Sequence, residues 1–214
     1  MEFFYTLSNS MVRAVLQAFA HWTVEGRESV PPRGPLIVVA NHQSNIDPPL
    51  LGASIPRRLF FLAKEGIFVN PVISAFLSNY GAFPLKRDGT DIQAFRWALR
   101  MLSRNEAIAF FPEGTRSPGR MREAIPGIAL LAIRSQATLL PVGITGTERM
   151  GPLWRVAFPT GKITVRIGEP FSLPAIEGRL ERSQLEALTK MVMQRVAALL
   201  PESYRGVYSL HKET

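Results

Sequence analysis

Asn41-His42-Gln43-Ser44-Asn45-Ile46-Asp47-Pro48 carries one of the chain's three histidines, five residues before an aspartate and directly after the apolar run 36–40. An imidazole held by a carboxylate can act as a general base: the carboxylate selects the tautomer and stabilises the imidazolium once a proton has been taken. The spacing requires a loop, because five residues of regular helix leave the two side chains roughly 140° apart around the axis. Pro48 and Pro49 end that loop, since the residue before a proline avoids helical dihedrals and proline is tolerated in the first helical turn. A short helix is expected from Pro48, and its first backbone N–H groups are candidates for stabilising an oxyanion. Asp47 also has a second reading, as the N-cap of that helix.

A second apolar run, 106–111, leads into Pro112-Glu113-Gly114-Thr115-Arg116-Ser117. Here a carboxylate, a hydroxyl and a guanidinium follow a buried strand, and Gly114 permits a sharp turn with close backbone approach. The planar fork of Arg116 suits phosphate oxygens. The same residues would also serve an ordinary turn with an exposed Glu/Arg pair of little energetic value. No Gly-x4-Gly-Lys-Ser/Thr occurs in the chain, which argues against P-loop nucleotide hydrolysis.

Five runs read as strands, 36–40, 59–63, 107–111, 138–144 and 162–167, with helical patterns between them. Ile92, Phe95, Leu99 and Leu102 recur at helical spacing behind Thr90 and Asp91, predicting an amphipathic helix over 91–104. A shorter buried helix is expected over 127–135. Ser183 and Glu186 form a capping-box pattern ahead of Leu185, Leu188, Val192 and Val196, predicting a C-terminal helix of about four turns. Ile163, Val165 and Ile167 alternate with Lys162, Thr164 and Arg166, the pattern of a half-exposed strand near a sheet edge. The alternation of strand and helix gives an α/β sandwich, a single domain with a mostly parallel central sheet flanked by helices. In such a fold the ligand site lies beyond the C-terminal strand ends, where both motifs sit.

The 214 residues suffice for one substantial core, and no repeat or low-complexity linker divides them. The chain carries 25 basic and 17 acidic residues, a formal charge of +8, and twenty of the basic residues are arginine. Such a surface is drawn to nucleic acid, anionic membrane or phosphorylated small molecules. The arginines are dispersed, without an RNP-like aromatic motif or zinc finger, so no nucleic acid is expected as a partner. Cysteine is absent, which excludes disulfides, thiolate metal sites and a cysteine nucleophile. His21, His42 and His211 are scattered, so no metal site is expected.

Two apolar stretches are long enough to meet a membrane. Over 3–22, Phe4, Leu7, Met11, Val15, Phe19 and Trp22 fall at helical spacing, interrupted by polar residues too often for a span of about 20 apolar residues. A helix lying in the interface and a helix packed on the domain are both open readings. The stretch 67–85 is rich in Ile, Val, Phe and Leu between Gly and Pro, and reads either as membrane contact or as core. The first residues lack a basic start ahead of the apolar stretch, so no signal peptide is expected.

Asn41-His42 with Asp47, Gly81-Ala82-Phe83-Pro84-Leu85-Lys86-Arg87, Phe111-Pro112-Glu113-Gly114-Thr115-Arg116 and Leu139-Leu140-Pro141-Val142-Gly143 resemble, in order and spacing, the four motif blocks of the glycerolipid acyltransferases typified by 1-acylglycerol-3-phosphate acyltransferases. The resemblance covers about residues 30–170. It implies acyl transfer from acyl-CoA or acyl carrier protein to the free hydroxyl of a lysophospholipid, lysophosphatidic acid first, with no cofactor. Another lysolipid, such as a lysophosphatidylglycerol or an amino-acid lysolipid, is the alternative acceptor, and a non-enzymatic basic binding module the alternative class. The resemblance assigns catalysis to His42 and Asp47. It makes Arg87 and Arg116 the candidates for the acceptor phosphate, with Glu113 and Thr115, around Gly114, binding its glycerol hydroxyl or orienting the arginines. Lys64, just after the 59–63 run, either adds positive potential at the same edge or is simply a solvated lysine. It also implies a protein peripheral to the cytoplasmic face of an anionic membrane. The expected organisation is an N-terminal interfacial helix, 1–25, followed by an acyltransferase domain, 26–214.

Overall fold

The computed structural model describes residues 2–86, 91–150, 154–176, 178 and 180–209. In chain order the elements are α1 (Glu2–Phe19), β1 (Ala20–Glu25), β2 (Leu36–Ala40), α2 (Asp47–Ser54), β3 (Leu59–Lys64), α3 (Pro71–Tyr80), β4 (Ala82–Leu85), α4 (Ile92–Ser103), β5 (Ala107–Phe110), α5 (Gly127–Ser135), β6 (Thr138–Thr145), α6 (Trp154–Ala157), β7 (Gly161–Ile167) and α7 (Arg182–Ala198). The seven strands form one sheet in the order β1-β7-β6-β2-β5-β3-β4. β6, β2, β5, β3 and β4 are mutually parallel, while β7 runs antiparallel to β6 and parallel to β1.

Every residue of β2 is buried, as an apolar strand covered on both faces requires. Leu36, Val38 and Ala40 face a core shared with α1 and α2, and Ile37 and Val39 face the core under α4, α5 and α7. The result is a three-layer α/β/α sandwich with β2 at its centre. The chain crosses from β2 through α2 to β3, then returns to place β5 beside β2 and β6 on the other side. β2 is therefore the point where strand order reverses, and its C-terminal end opens between two diverging loops.

Several boundaries differ from the sequence reading. The N-terminal helix stops at Phe19, and Ala20–Glu25 is a strand paired with β7, so the segment 1–25 is not one helix. Trp22 and Val24 pack on the core while His21, Thr23 and Glu25 face outward. That period-2 pattern overlaps the helical stripe that ends at Phe19 and was hidden by it. β7 is covered by β1 and lies one strand in from the edge, near it as expected. The stretch 67–85 divides into a 3₁₀ turn (Glu65–Phe68), α3 and β4, where Pro84 is accommodated because β4 is an edge strand. α7 is capped by Glu181 with Gln184, not by Ser183 with Glu186. Asp91 caps α4 as expected, accepting the Ala94 N–H.

α1 is fastened to the domain by polar contacts at its buried face. Tyr5 accepts the Leu59 N–H at 2.9 Å, and Tyr80 donates to Asn9 at 2.7 Å. Gly52 of α2 lies under this cluster, where a Cβ would strike the Tyr80 hydroxyl and approach Asn9 Oδ1 to 2.8 Å. Gly52→Ala should therefore destabilise the protein by about 1–3 kcal/mol, the usual cost of over-packing. At about 2–4 °C per kcal/mol for a chain of this size, a calorimetric melt resolves the change. An unaltered melting temperature would show that α1 moves outward freely.

Candidate active site

The loops after β2 (41–46), β5 (111–126) and β6 (146–150) meet beyond the C-terminal edge of the sheet. Asn41 continues the β2–β6 pairing with its side chain: its Nδ2 donates to the Ile144 carbonyl at 2.9 Å, and its Oδ1 accepts the Ile144 N–H at 2.7 Å. Gln43 reaches the same carbonyl at 2.7 Å and accepts the Gly119 N–H at 3.1 Å. Ser44 donates to the Met150 carbonyl at 2.7 Å. The side chains of Asn41, Gln43 and Ser44 are thus spent on holding the backbone, while the ring of His42 among them stays turned toward solvent, 16% exposed.

His42 Nδ1 lies 2.9 Å from Asp47 Oδ2. The same oxygen accepts the N–H groups of Gln43 at 2.6 Å and Ser44 at 2.8 Å, and Oδ1 accepts the Thr147 hydroxyl at 2.8 Å. Asp47 has no exposed surface, and a buried carboxylate that accepts this many hydrogen bonds is held as an acceptor. Nδ1 then carries the proton and donates, which leaves Nε2 as the basic atom of the ring. Phe111 stacks on the imidazole at 4.3 Å between centroids, fixing the ring plane.

The N-cap reading of Asp47 fails on this geometry. Ile46 is the N-cap, Asp47 the first helical residue, and its carboxylate points back into the loop. The oxyanion expectation fails too. In the first turn of α2 the Asp47 N–H is taken by the Ser44 carbonyl and the Leu50 N–H by the Ile46 carbonyl, while Pro48 and Pro49 have none. The helix start has no backbone donor left for a substrate.

Glu113, expected to bind the acceptor or to orient the arginines, joins two loops. Its Oε1 accepts the His42 N–H at 2.9 Å and its Oε2 the Arg122 N–H at 2.8 Å, with the side chain 6% exposed. The Ser117 N–H donates to the His42 carbonyl at 2.7 Å, so the loop after β5 grips both backbone groups of His42. Gly114 makes the turn with φ 66°, in the left-handed region that a side chain would strain, and a Cβ there would come within 2.7 Å of Ile125. Thr115 is half-buried and Arg116 exposed on the same loop, and neither side chain bonds to another described residue. Arg120 and Arg122, which the sequence reading did not single out, are exposed on it as well.

Lys64 ends β3 with its side chain exposed, two strands from β2, and no hydrogen bond or ion pair joins it to the His42 loop. Arg87 lies outside the described residues. Thr147, Gln43 and Phe111 were also missed. Thr147 had no signal in the sequence, because it is a hundred residues from the carboxylate it contacts. Among the described residues, no group of three or more His, Asp or Glu side chains could hold a metal ion.

A family model described as Acyltransferase matches residues 21–145, a span that contains the His42 loop and the loop turn at Glu113–Arg116. The chain belongs to the acyltransferase family. It is 26% identical to the 1-acyl-sn-glycerol-3-phosphate acyltransferase of Bacillus subtilis over 91% of its own length and 96% of that protein. It is 30% identical to the chloroplastic acyltransferase LPAT1 of Arabidopsis thaliana over 71% of its length, spanning 43% of that longer protein. The crystal structure of the LPA acyltransferase PlsC from Thermotoga maritima superposes with a TM-score of 0.72 at 28% identity, covering 91% of this chain and 78% of that one. The acyltransferase fold is therefore this sheet with its two helical layers.

Burial pushes the Glu113 carboxyl up from 4.5 to about 7, helped by repulsion from Asp47 and opposed by its two N–H donors and by His42. Its folded pKa exceeds its unfolded one, so its contribution to stability is complete below about pH 4.5 and is lost as pH rises through 7. The melting temperature of the wild type relative to Glu113→Gln should fall between pH 5 and 7 and level off above. A difference independent of pH would show that Glu113 is not titrating in this window.

Proposed function

We infer that this acyltransferase moves an acyl group from a thioester, acyl-CoA or acyl carrier protein, to the free hydroxyl of lysophosphatidic acid, giving phosphatidic acid. The observation that carries the reading is the His42–Asp47 pair at 2.9 Å, with Nε2 free, beside a loop bearing three exposed arginines. Nε2 takes the proton of the acceptor hydroxyl as its oxygen attacks the thioester carbonyl. Asp47 holds the imidazolium that forms. The tetrahedral intermediate collapses by breaking the C–S bond, and the proton on Nε2 returns to the departing thiolate. The acceptor is the nucleophile, so no covalent enzyme intermediate is needed. Arg116, with Arg120 and Arg122 beside it, faces the acceptor phosphate in this mechanism; Arg87 shares that role on the strength of its motif, and Lys64 contributes at most long-range potential. Thr115, whose hydroxyl bonds to no other described residue while that of Ser117 donates to the Arg120 carbonyl, joins the acceptor side.

Thiol release in the presence of lysophosphatidic acid tests both halves of the mechanism. His42→Ala should reduce kcat by about 10²- to 10⁴-fold with the melt preserved. Arg116→Ala should raise the acceptor KM and leave the donor KM unchanged, and Arg116→Lys should recover only part of the loss. Near-normal thiol release by His42→Ala would end the mechanism. Preference for another lysolipid in the wild type would keep the mechanism and change the substrate.

The proposed location is peripheral, on the cytoplasmic face of an anionic membrane. No helix among the described residues is long and apolar enough to cross a membrane. The support is an apolar face shared by two helices: Phe3, Leu7 and Met11 on α1 and Val69, Val72, Ile73 and Phe76 near α3 are exposed, Phe3 by 80% and Val69 by 83%. Phe4 packs edge-on against Phe76 at 5.5 Å and joins the two halves. A contiguous apolar face on a chain of charge +8 suits the interface of an anionic bilayer. Changing Phe3, Leu7 and Val72 together to serine, with Phe4 left in place, should abolish vesicle binding at high salt, where screening removes most of the electrostatic attraction. Co-sedimentation equal to wild type would assign the face another role.

A further inference from the structure

At the opposite end of α2 from His42, a cleft of about 240 Å³ opens between α1 and the segment 52–58, lined by Arg13, Arg57, Arg58, Tyr5, Thr6 and Glu2 among others. Three guanidinium groups meet one carboxylate here, and neither Arg13 nor Arg58 forms an ion pair among the described residues. Arg57 is committed to structure, donating to the carbonyls of Pro31, Gly34 and Asn105 at 2.9–3.0 Å, and contributes charge. Arg13 uses only Nε, on the Ala53 carbonyl at 2.9 Å. Arg58 is held over the rings of Phe60 at 4.8 Å and Tyr5 at 5.6 Å, yet its guanidinium donates to no described residue and its Nε is buried without a partner. Its terminal N–H groups are neither buried nor bonded, so they remain as donors for an anion in the cleft.

We propose that this cleft binds the phosphate of an anionic phospholipid, with Arg58 and Arg13 as its donors. This rests on the membrane reading above, and helical geometry connects the two. Residues 3, 7, 11, 14 and 18 form the outward stripe of α1, and residues 2, 6, 9 and 13 line the cleft, roughly 130° away around the axis. With the stripe in the acyl region, that flank lies just above the helix axis, at the depth of the phosphate layer. A lipid phosphate can therefore enter while α1 stays docked. Guanidinium groups match its oxygens by paired donors as well as by charge.

The test uses T6E, which adds a carboxylate inside the cleft without removing an arginine, and S10E, which adds the same charge one turn along the same flank but outside it. On phosphatidylcholine vesicles doped with phosphatidylglycerol, T6E should lose about tenfold in affinity and S10E less than twofold. R58Q should match T6E, and all variants should bind undoped vesicles alike. Equal losses in T6E and S10E would overturn the site in favour of diffuse attraction, while leaving membrane docking intact. If the wild type binds no vesicle, the docking reading fails. Inorganic phosphate at matched ionic strength then decides the cleft: a higher melting temperature in the wild type and not in T6E assigns it to a soluble phosphate in place of a lipid, and no rise in either removes it.

Discussion

The buried carboxylate of Asp47 is the constraint around which this molecule is arranged. Removing an ionised carboxylate from water costs several kcal/mol, and an ion pair with one partner does not recover that cost. Here the compensation comes from three separate places: two backbone N–H groups of its own loop, the imidazole of His42, and the hydroxyl of Thr147 on the loop after β6. The first two are local to the loop, and the Thr147 contact exists only once β2 and β6 lie side by side in register. The parallel pairing of Ala40 with Val142, extended by Asn41 onto Ile144, is what brings Thr147 within reach. The setting of the Asp47 carboxylate is thus completed by sheet register.

A second buried carboxylate, Glu113, does a different job a few residues away. Asp47 accepts from a side chain that must turn toward substrate, whereas both oxygens of Glu113 accept backbone N–H groups and fix where the loops run. The division is sensible on electrostatic grounds. Burial is the main reason that the Glu113 carboxyl, held by two neutral backbone donors, gains affinity for a proton, and repulsion from Asp47 adds to it.

What could be read from the sequence was whatever depends on local pattern. The central strands, the amphipathic α4, the break at Pro48 and the position of both motifs at the C-terminal strand ends follow from periodicity, proline and the logic of parallel sheets. β1 was missed because Phe19 to Trp22 satisfies a helical and an alternating pattern at once, and only its pairing with β7 decides between them. The roles of Glu113 and Thr147 were out of reach for another reason. A glutamate in a turn is equally suited to a ligand or to a backbone clamp, and which it becomes depends on a partner 71 residues away. The free donors expected at the start of α2 were a failure of counting, since two prolines and two satisfied N–H groups account for the whole first turn.

α2 connects the two ends of the functional surface. Its eight residues, about 12 Å of helix, begin at Asp47 and end at Ser54. The C-terminal carbonyls of Ala53 and Ser54 are capped by Arg13 and Arg27, placing positive charge where the helix dipole is negative. Arg13 belongs to α1, so the helix that carries the exposed apolar stripe is bonded directly to the helix that carries the base's partner. Gly52 lets the two axes approach closely, and Tyr5 ties α1 to the start of β3. A tilt of α1 at a lipid surface would therefore have to break buried hydrogen bonds or carry α2 with it. In a close-packed domain the second is the cheaper response, so with α1 docked on lipid as proposed the height of His42 above that surface would be set by the fold.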